Sequence, residues 1–128
     1  MNPNGAARIK FGQYFAWQIG LHGQLEPHPA LLQIAGEVSV HRDFNQDMIR
    51  TDDRVESGYF GINQHHGYDH PTNDIYTASA GCLVGRTRQG HDEFMELIQQ
   101  DYRYQQDPTY IFGTTIIPGD DLEWRFPA

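Results

Sequence analysis

Apolar side chains recur at every second position in several short stretches of the chain. The longest stretch covers residues 9–21, and its odd positions carry Ile9, Phe11, Phe15, Trp17, Ile19 and Leu21. Because successive side chains of a β-strand point to opposite faces, a period of two predicts strands that bury one face. Gly12 interrupts the stretch near its start, which is typical of a bulge or of a turn between two short strands, and a hairpin over residues 9–21 is one outcome.

The rest of the sequence favours a chain built mostly of strands. Alternation returns over residues 31–41, and the composition of residues 59–64 and 109–117 predicts two further strands. Thirteen glycines and seven prolines supply the turns between them. Residues 42–58 are polar and acidic and are expected to form a surface loop. We therefore expect one mainly β domain over residues 1–128.

A single stretch, residues 91–104, has the spacing of a helix. Its apolar residues lie three or four positions apart, which places them on one face of a helix. They are Phe94, Leu97, Ile98 and Tyr102. We expect this stripe to pack into the core, without a role in binding a cofactor.

Charge and hydropathy narrow the classes of partner. The formal net charge is −8, so the phosphates of nucleic acid would be repelled and nucleic-acid binding is not expected. No apolar run approaches the roughly 18 residues that a transmembrane helix needs, so no membrane span is expected. The first ten residues lack the apolar core of a secretory signal. The oligomeric state is left open by the sequence.

The chain has one cysteine, Cys82, which follows the small-residue run Ser79-Ala80-Gly81. A lone cysteine is most often a buried apolar side chain. A run of small residues instead favours a tight turn that presents its backbone and the sulfur to a substrate. His65 and His66 lie upstream, and an imidazole can activate a thiol for nucleophilic attack.

These residues resemble the catalytic signature of the L,D-transpeptidases, cysteine enzymes that cross-link bacterial peptidoglycan. Their signature has a histidine, a glycine and then Ser-x-Gly-Cys in that order. The similarity is closer to a branch of small bacterial and phage proteins that read Arg-Asp-x-Asn, Gly-Ile-Asn-Ile-His and Ser-Ala-Gly-Cys-Gln. It covers about residues 38–104. Two positions depart from the better-known enzymes: Ala80 replaces a second histidine, and Val84 replaces a polar residue.

The resemblance implies a fold and a set of roles. The fold would be an L,D-transpeptidase-like β-sandwich that carries one helix. Cys82 would be the nucleophile, and His65 or His66 would be the base. Ser79 and Gly81 belong to the cysteine motif, whose backbone N–H groups would stabilise the oxyanion. The residues expected to bind substrate are Arg86, Arg88, Tyr59 and Asn63.

The resemblance also implies the reaction and the place where it happens. The enzyme would cleave the L-to-D bond of a peptidoglycan stem peptide and pass the acyl group to an amine or to water, with no cofactor. Such a protein acts at the bacterial cell wall or in the periplasm. Without a visible signal peptide, it would be delivered by a phage, by a secretion apparatus, or from a longer chain.

The choice between the two histidines depends on strand geometry and on the resemblance. On a strand, His65 shares a face with Asn63, whereas His66 continues the face of Phe60 and Ile62. Alternation alone does not decide which face meets Cys82. Because the similar proteins read Gly-Ile-Asn-x-His, their histidine corresponds to His65, which we therefore expect to be the base.

The sequence contains two sets of residues of the types that bind metal ions, and neither is expected to form a metal site. Alternate acidic and amide residues at Asp43, Asn45 and Asp47 begin a calcium-loop pattern, but Met48 and Arg54 replace the glycine and the glutamate that it needs. A second set of ligand types lacks any established zinc spacing. It comprises His65, His66, Asp69, His70 and Asp74.

Two other classes of protein remain as alternatives to an L,D-transpeptidase. A papain-like peptidase would place its histidine after the cysteine, where His91 is the only one, so the order argues against this class. A catalytically degenerate domain that binds the cell wall, or that forms part of a phage particle, stays open because fold does not determine function.

Overall fold

The strands and helices of this computed structural model lie within residues 6–43, 54–67 and 82–119, which are the residues that the structure describes. In chain order they are β1 (Ala6–Ile9), β2 (Gly12–His22), β3 (His28–Gln33), β4 (Val38–Asp43), β5 (Arg54–Gly58), β6 (Gln64–His66), β7 (Leu83–Gly85), α1 (Arg88–Gln99), α2 (Tyr102–Gln106) and β8 (Phe112–Ile116).

The strands form two sheets, which confirms the prediction of a mainly β chain. The smaller sheet has the order β1-β4-β5, and the larger has the order β7-β6-β3-β2-β8. The pairs are antiparallel except for β6 and β7, which run parallel. In the described ranges, no helix is both long enough and apolar enough to cross a membrane.

Both sheets contribute to one apolar core. Val38 and Val40 of the smaller sheet belong to the same buried cluster as Trp17 and Leu31 of the larger sheet, and Met95 of α1 joins them. The indole Nε1–H of Trp17 donates to the carbonyl of Ile62 at 2.8 Å, so the largest buried side chain leaves no polar atom unsatisfied.

Residues 9–21 do not form the hairpin that the sequence allowed. β1 pairs with β4 in the smaller sheet, whereas β2 pairs with β3 and β8 in the larger one. The chain therefore passes from the smaller sheet to the larger one between β1 and β2, and Gly12 is the first residue of β2. The register of β2 against β8 shifts between Phe15 and Trp17, which interrupts the alternation. As a result Trp17 is fully buried while Phe15 is 65% exposed.

The prediction of one helix over 91–104 is also corrected. The helical segment breaks into α1 and α2 at Asp101, whose side chain accepts from the backbone N–H of Arg103 and caps the second helix. The buried face of α1 carries His91 and Met95, so the predicted stripe is displaced around the helix. Leu97 and Tyr102, expected in the core, are each 67% exposed.

Residues 54–63 reverse another expectation. Residues 42–58 were predicted to form a loop, but residues 54–58 form strand β5. Residues 59–63 were predicted to form a strand, but they are not part of any strand. The buried amide of Gln33 binds this segment instead. Its Nε2 donates to the carbonyls of Gly36 and Gly58, at 3.0 and 2.9 Å. Its Oε1 accepts from the N–H groups of Phe60 and Ile62, at 3.2 and 2.9 Å.

Gln33→Leu should therefore destabilise the fold severely. The substitution leaves four backbone groups without their partner, and buried unsatisfied groups cost about 1–3 kcal/mol each, so we expect a loss of at least about 3 kcal/mol. Urea denaturation measures this loss. Gln18→Leu is the matched control, since its amide makes one hydrogen bond, to Thr109, and should cost about 1 kcal/mol or less. Equal losses for the two variants would contradict the role given to Gln33.

Candidate functional site

The parallel pairing of β6 with β7 brings the cysteine beside the strand that carries the two histidines. Gln64 pairs with Leu83, and His65 pairs with Val84. The N–H of Leu83 also donates to the carbonyl of Asn63 at 2.9 Å, which extends the pairing by one residue. Cys82 directly precedes β7 and consequently lies beside Asn63.

The sulfur of Cys82 lies between two backbone groups of the segment that Gln33 holds. Its S–H donates to the carbonyl of Gly61 at 3.3 Å, and the N–H of Asn63 donates to the sulfur at 3.4 Å. Gly61 has φ of 65°, a conformation that a residue with a Cβ adopts at a cost. The side chain of Cys82 is half-buried. Both of these contacts are with backbone groups.

Five histidine rings pack against one another next to this segment, and we call them the imidazole cluster. Its members are His22, His28, His65, His66 and His91. His22 and His28 are register partners on β2 and β3, and His91 comes from α1. Two pairs of rings are stacked: His22 on His65 with centroids 4.1 Å apart, and His28 on His66 with centroids 3.7 Å apart.

The expectation that His65 and His66 point to opposite faces does not hold for their rings. Both contact His28, with ring centroids 6.1 Å and 3.7 Å away respectively. β6 is only three residues long and ends at His66, so strict alternation is not maintained at this point. The two histidines therefore belong to the same cluster.

One ring nitrogen of His65 is hydrogen-bonded to a backbone carbonyl. Its ring is 1% exposed, and its Nδ1–H donates to the carbonyl of His66 at 2.6 Å. Burial lowers the pKa of His65 below its ordinary value, which keeps the ring neutral. With the proton fixed on Nδ1, the lone pair is on Nε2. That atom is buried and has no hydrogen-bond partner among the described residues.

Three further rings of the cluster, His22, His28 and His66, have pKa values that are lowered chiefly by burial. Burial lowers the pKa of His22 and of His28, and neighbouring imidazoles lower both further. The pKa of His66 falls to about 4, chiefly through burial and then through the proximity of His28 and His91.

Asn63 connects the cysteine segment to the cluster. Its Oδ1 accepts from the backbone N–H of Gln33 at 3.0 Å, which fixes the orientation of the amide. Its Nδ2 then donates to Nδ1 of His22 at 3.2 Å. Because His22 stacks on His65, one residue contacts both the sulfur, through its backbone, and the cluster, through its side chain.

The remaining predicted residues are not gathered around the sulfur by any described contact. Tyr59 is 61% exposed, and Arg86 is exposed. Arg88 is the first residue of α1 and forms an ion pair with Glu26 at 3.1 Å. Several predicted residues lie outside the described residues: Ser79, Gly81, Asn45, Asp47, Asp69, His70 and Asp74.

Three histidines of the cluster were missed at the sequence level: His22, His28 and His91. A signal for two of them exists, since His22 and His28 flank a short polar segment with Gly23 and would meet if the flanking stretches paired. The two strands do pair, and β3 begins at His28. His91 was assigned only to the start of a helix.

A cleft of about 260 Å³ opens beside the cluster. It is lined by Gln64, His65, Leu83, Val84, Gly85, His91 and Phe94. The cleft lies where β6, β7 and α1 meet. In the described part of the chain, no group of three or more His, Cys, Asp or Glu side chains is arranged to hold a metal ion.

Comparison with known proteins does not identify a relative of this chain. No protein-family model, no curated protein and no solved structure matches the chain.

Cys82→Ala should leave the protein folded, with a modest loss of stability. The substitution removes the hydrogen bond to Gly61 and the acceptor of the Asn63 N–H, and we expect a loss of about 1–2 kcal/mol in urea denaturation. Cys82→Ser, which keeps a donor and an acceptor, should lose less than Cys82→Ala. The reverse order would show that the two contacts do not stabilise the segment.

Proposed function

We propose that the protein is a cysteine-dependent acyltransferase of the L,D-transpeptidase kind, acting on peptidoglycan stem peptides. Cys82 is the nucleophile and His65 is the base. The acceptor is either the amine of a second stem, in a transpeptidase, or water, in a carboxypeptidase. The proposal takes its substrate class from the sequence resemblance and its pairing of residues from the geometry.

The observation that carries the proposal is the parallel pairing of β6 with β7. The pairing places Cys82 beside Asn63, two residues before His65 along the neighbouring strand. With strands about 4.8 Å apart and a rise of about 3.3 Å per residue, the Cα atoms of Cys82 and His65 are about 8 Å apart. A cysteine and a histidine side chain together span such a distance.

The hydrogen bonds of the site support a cycle of proton transfers. Nε2 of His65 accepts the thiol proton, because its own proton is held on Nδ1 by the carbonyl of His66. Once ionised, the sulfur no longer donates to Gly61, whereas the N–H of Asn63 still donates to it. Ionisation therefore favours movement of the sulfur away from the Gly61 carbonyl and towards a substrate.

The reaction then follows from acyl-transfer chemistry. The thiolate attacks the carbonyl of the L-to-D peptide bond, and the leaving D-amino acid takes its proton from the imidazolium of His65. The resulting thioester passes its acyl group to an amine or a water molecule, whose proton returns to His65. The sheets are consistent with the β-sandwich that the resemblance implies, since both contribute to one core.

A second candidate function is favoured by one observation. The sulfur already has two backbone partners, as expected of a cysteine that ends a strand ladder without reacting. In that case the domain binds the cell wall, or forms part of a phage particle, and does no chemistry. The next experiment separates the two functions.

Exposure to a carbapenem should leave a covalent adduct on Cys82, because carbapenems acylate the cysteine of L,D-transpeptidases. Mass spectrometry of the intact protein and of its peptides measures the adduct. Tetrapeptide stems should be turned over by the wild type and not by Cys82→Ala, whose folding is verified by urea denaturation. A protein that is neither acylated nor active on stems would be the non-catalytic domain.

The two histidines of β6 should respond unequally to substitution. His65→Ala removes the base and should lower the rate of acylation by about 100-fold or more. His66→Ala removes the imidazole of residue 66 but keeps its backbone carbonyl, which orients His65. This variant should lower the rate of acylation by less than about tenfold. Acylation reactions that are quenched at successive times and analysed by mass spectrometry compare the rates of the two variants. Equal losses would remove His65 from its role.

A further inference from the structure

We propose that the imidazole cluster is an acid-sensitive latch that holds α1 against β3 and β6. Uptake of protons in mildly acidic solution opens the latch and detaches the helix. This inference concerns the packing of the fold and does not depend on the proposed acyl transfer.

The arrangement of the rings is the first argument. His91 of α1 packs against His28 and His66 of the sheet, with ring centroids 5.5 and 5.8 Å apart. The helix packs against β3, β6 and β7, and its buried residues are His91 and Met95. Imidazole contacts are therefore a large part of its attachment. Neutral rings stack favourably, whereas two imidazolium ions at these separations repel each other.

The hydrogen bonds of Asn63 supply an independent argument. Because Oδ1 of Asn63 accepts from Gln33, the group that faces His22 is the NH₂, a donor. Nδ1 of His22 must then be an acceptor, which requires a neutral ring. Protonation of His22 would set one N–H against another beside the stacked ring of His65.

Charged groups of both signs lie around the cluster among the described residues. Each packed element contributes as follows: His22 from β2, His28 from β3, His65 and His66 from β6, His91, Arg88 and Asp92 from α1, and Glu26 from the segment before β3. β7 contributes no charged side chain. Among the described residues, Asp92 favours protonation of His28 and His66, but burial outweighs its effect and both pKa values are lowered. Glu26 is already paired with Arg88.

The direction of the pH dependence follows from the lowered pKa values. Burial holds the pKa of His22, His28, His65 and His66 below 6.5, and that of His66 at about 4. An unfolded chain, with ordinary pKa values, takes up protons first as the pH falls. The stability that the neutral cluster contributes is therefore complete above about pH 6.5 and is lost as the pH falls from there towards about 4.

The test is the pH dependence of unfolding. The slope of the logarithm of the unfolding constant against pH gives the number of protons taken up on unfolding. For the wild type we expect more than one proton and a rise of at least roughly tenfold in the unfolding constant between about pH 7 and about pH 5. Glu56, Asp101 and Asp107 also have lowered pKa values, but as carboxylates they contribute below about pH 5, outside this range.

His66→Phe and His41→Phe form the matched pair of variants. The first keeps an aromatic ring in the cluster and removes its titration, so the slope between about pH 7 and about pH 5 should fall by about one proton. His41 lies on β4 in the smaller sheet, outside the cluster, and its variant measures how much the slope changes when a histidine elsewhere is removed. Equal slopes in the wild type and His66→Phe would overturn the proposal.

A measurement on the wild type covers the case in which His66→Phe does not fold. Amide hydrogen exchange, corrected for its intrinsic pH dependence, should show that protection of α1 falls more between about pH 7 and about pH 5 than protection of β4. Loss of protection that is uniform over α1 and β4, or absent from α1, would show that no latch opens there.

Discussion

The side chain of Gln33 provides the hydrogen bonds on which the geometry of the site depends. Residues 59–63 would otherwise cross the end of the sheet without a strand partner, and their buried backbone groups would be unsatisfied. One amide binds this segment at Gly58, Phe60 and Ile62. The carbonyl of Ile62 is in turn the acceptor for Trp17 in the core. Hydrogen bonds from Gln33 and from Trp17 therefore fix the position of this segment independently of Cys82.

The same segment supplies both contacts of the sulfur. The Gly61 carbonyl and the Asn63 N–H hold Cys82 at the start of β7, and β7 is thereby aligned with β6. Asn63 also reaches His22 through its side chain. Histidine, cysteine and glutamine therefore form one continuous set of hydrogen bonds, although they lie far apart in the sequence. The side chain of Gln33 holds Phe60 and Ile62, on either side of the Gly61 carbonyl that contacts the thiol.

Much of the fold was predictable because it follows from local patterns. Alternation of apolar residues is a property of neighbouring positions, and it correctly indicated a mainly β chain. Where tertiary contacts decide, the sequence was a poor guide. The shift between Phe15 and Trp17 depends on β8, and the coil at residues 59–63 depends on the amide of Gln33. Neither partner can be identified from spacing, since each comes from a distant part of the chain.

The site shows the same division. Cys82 stands out because it is the only cysteine, and the preceding motif suggests its chemistry, but Ser79 and Gly81 lie outside the described residues. His65 and His66 stand out as adjacent histidines. The residues around them cannot be identified from the sequence. His22, His28 and His91 come close to them only through strand pairing and helix packing. The tautomer of His65 likewise depends on a backbone carbonyl whose position the sequence does not give.

The pairing of β2 with β8 has a consequence for how the chain reaches its fold. Phe15 pairs with Gly113, a position about 100 residues later, and the phenyl ring lies across that glycine so closely that a Cβ there would be 2.6 Å from it. Closing so long a loop is entropically costly, and pairings between distant residues slow folding. During synthesis, one edge of β2 stays open until residues 112–116 have left the ribosome. Until then this edge has unpaired backbone groups, which are a template for association with other chains.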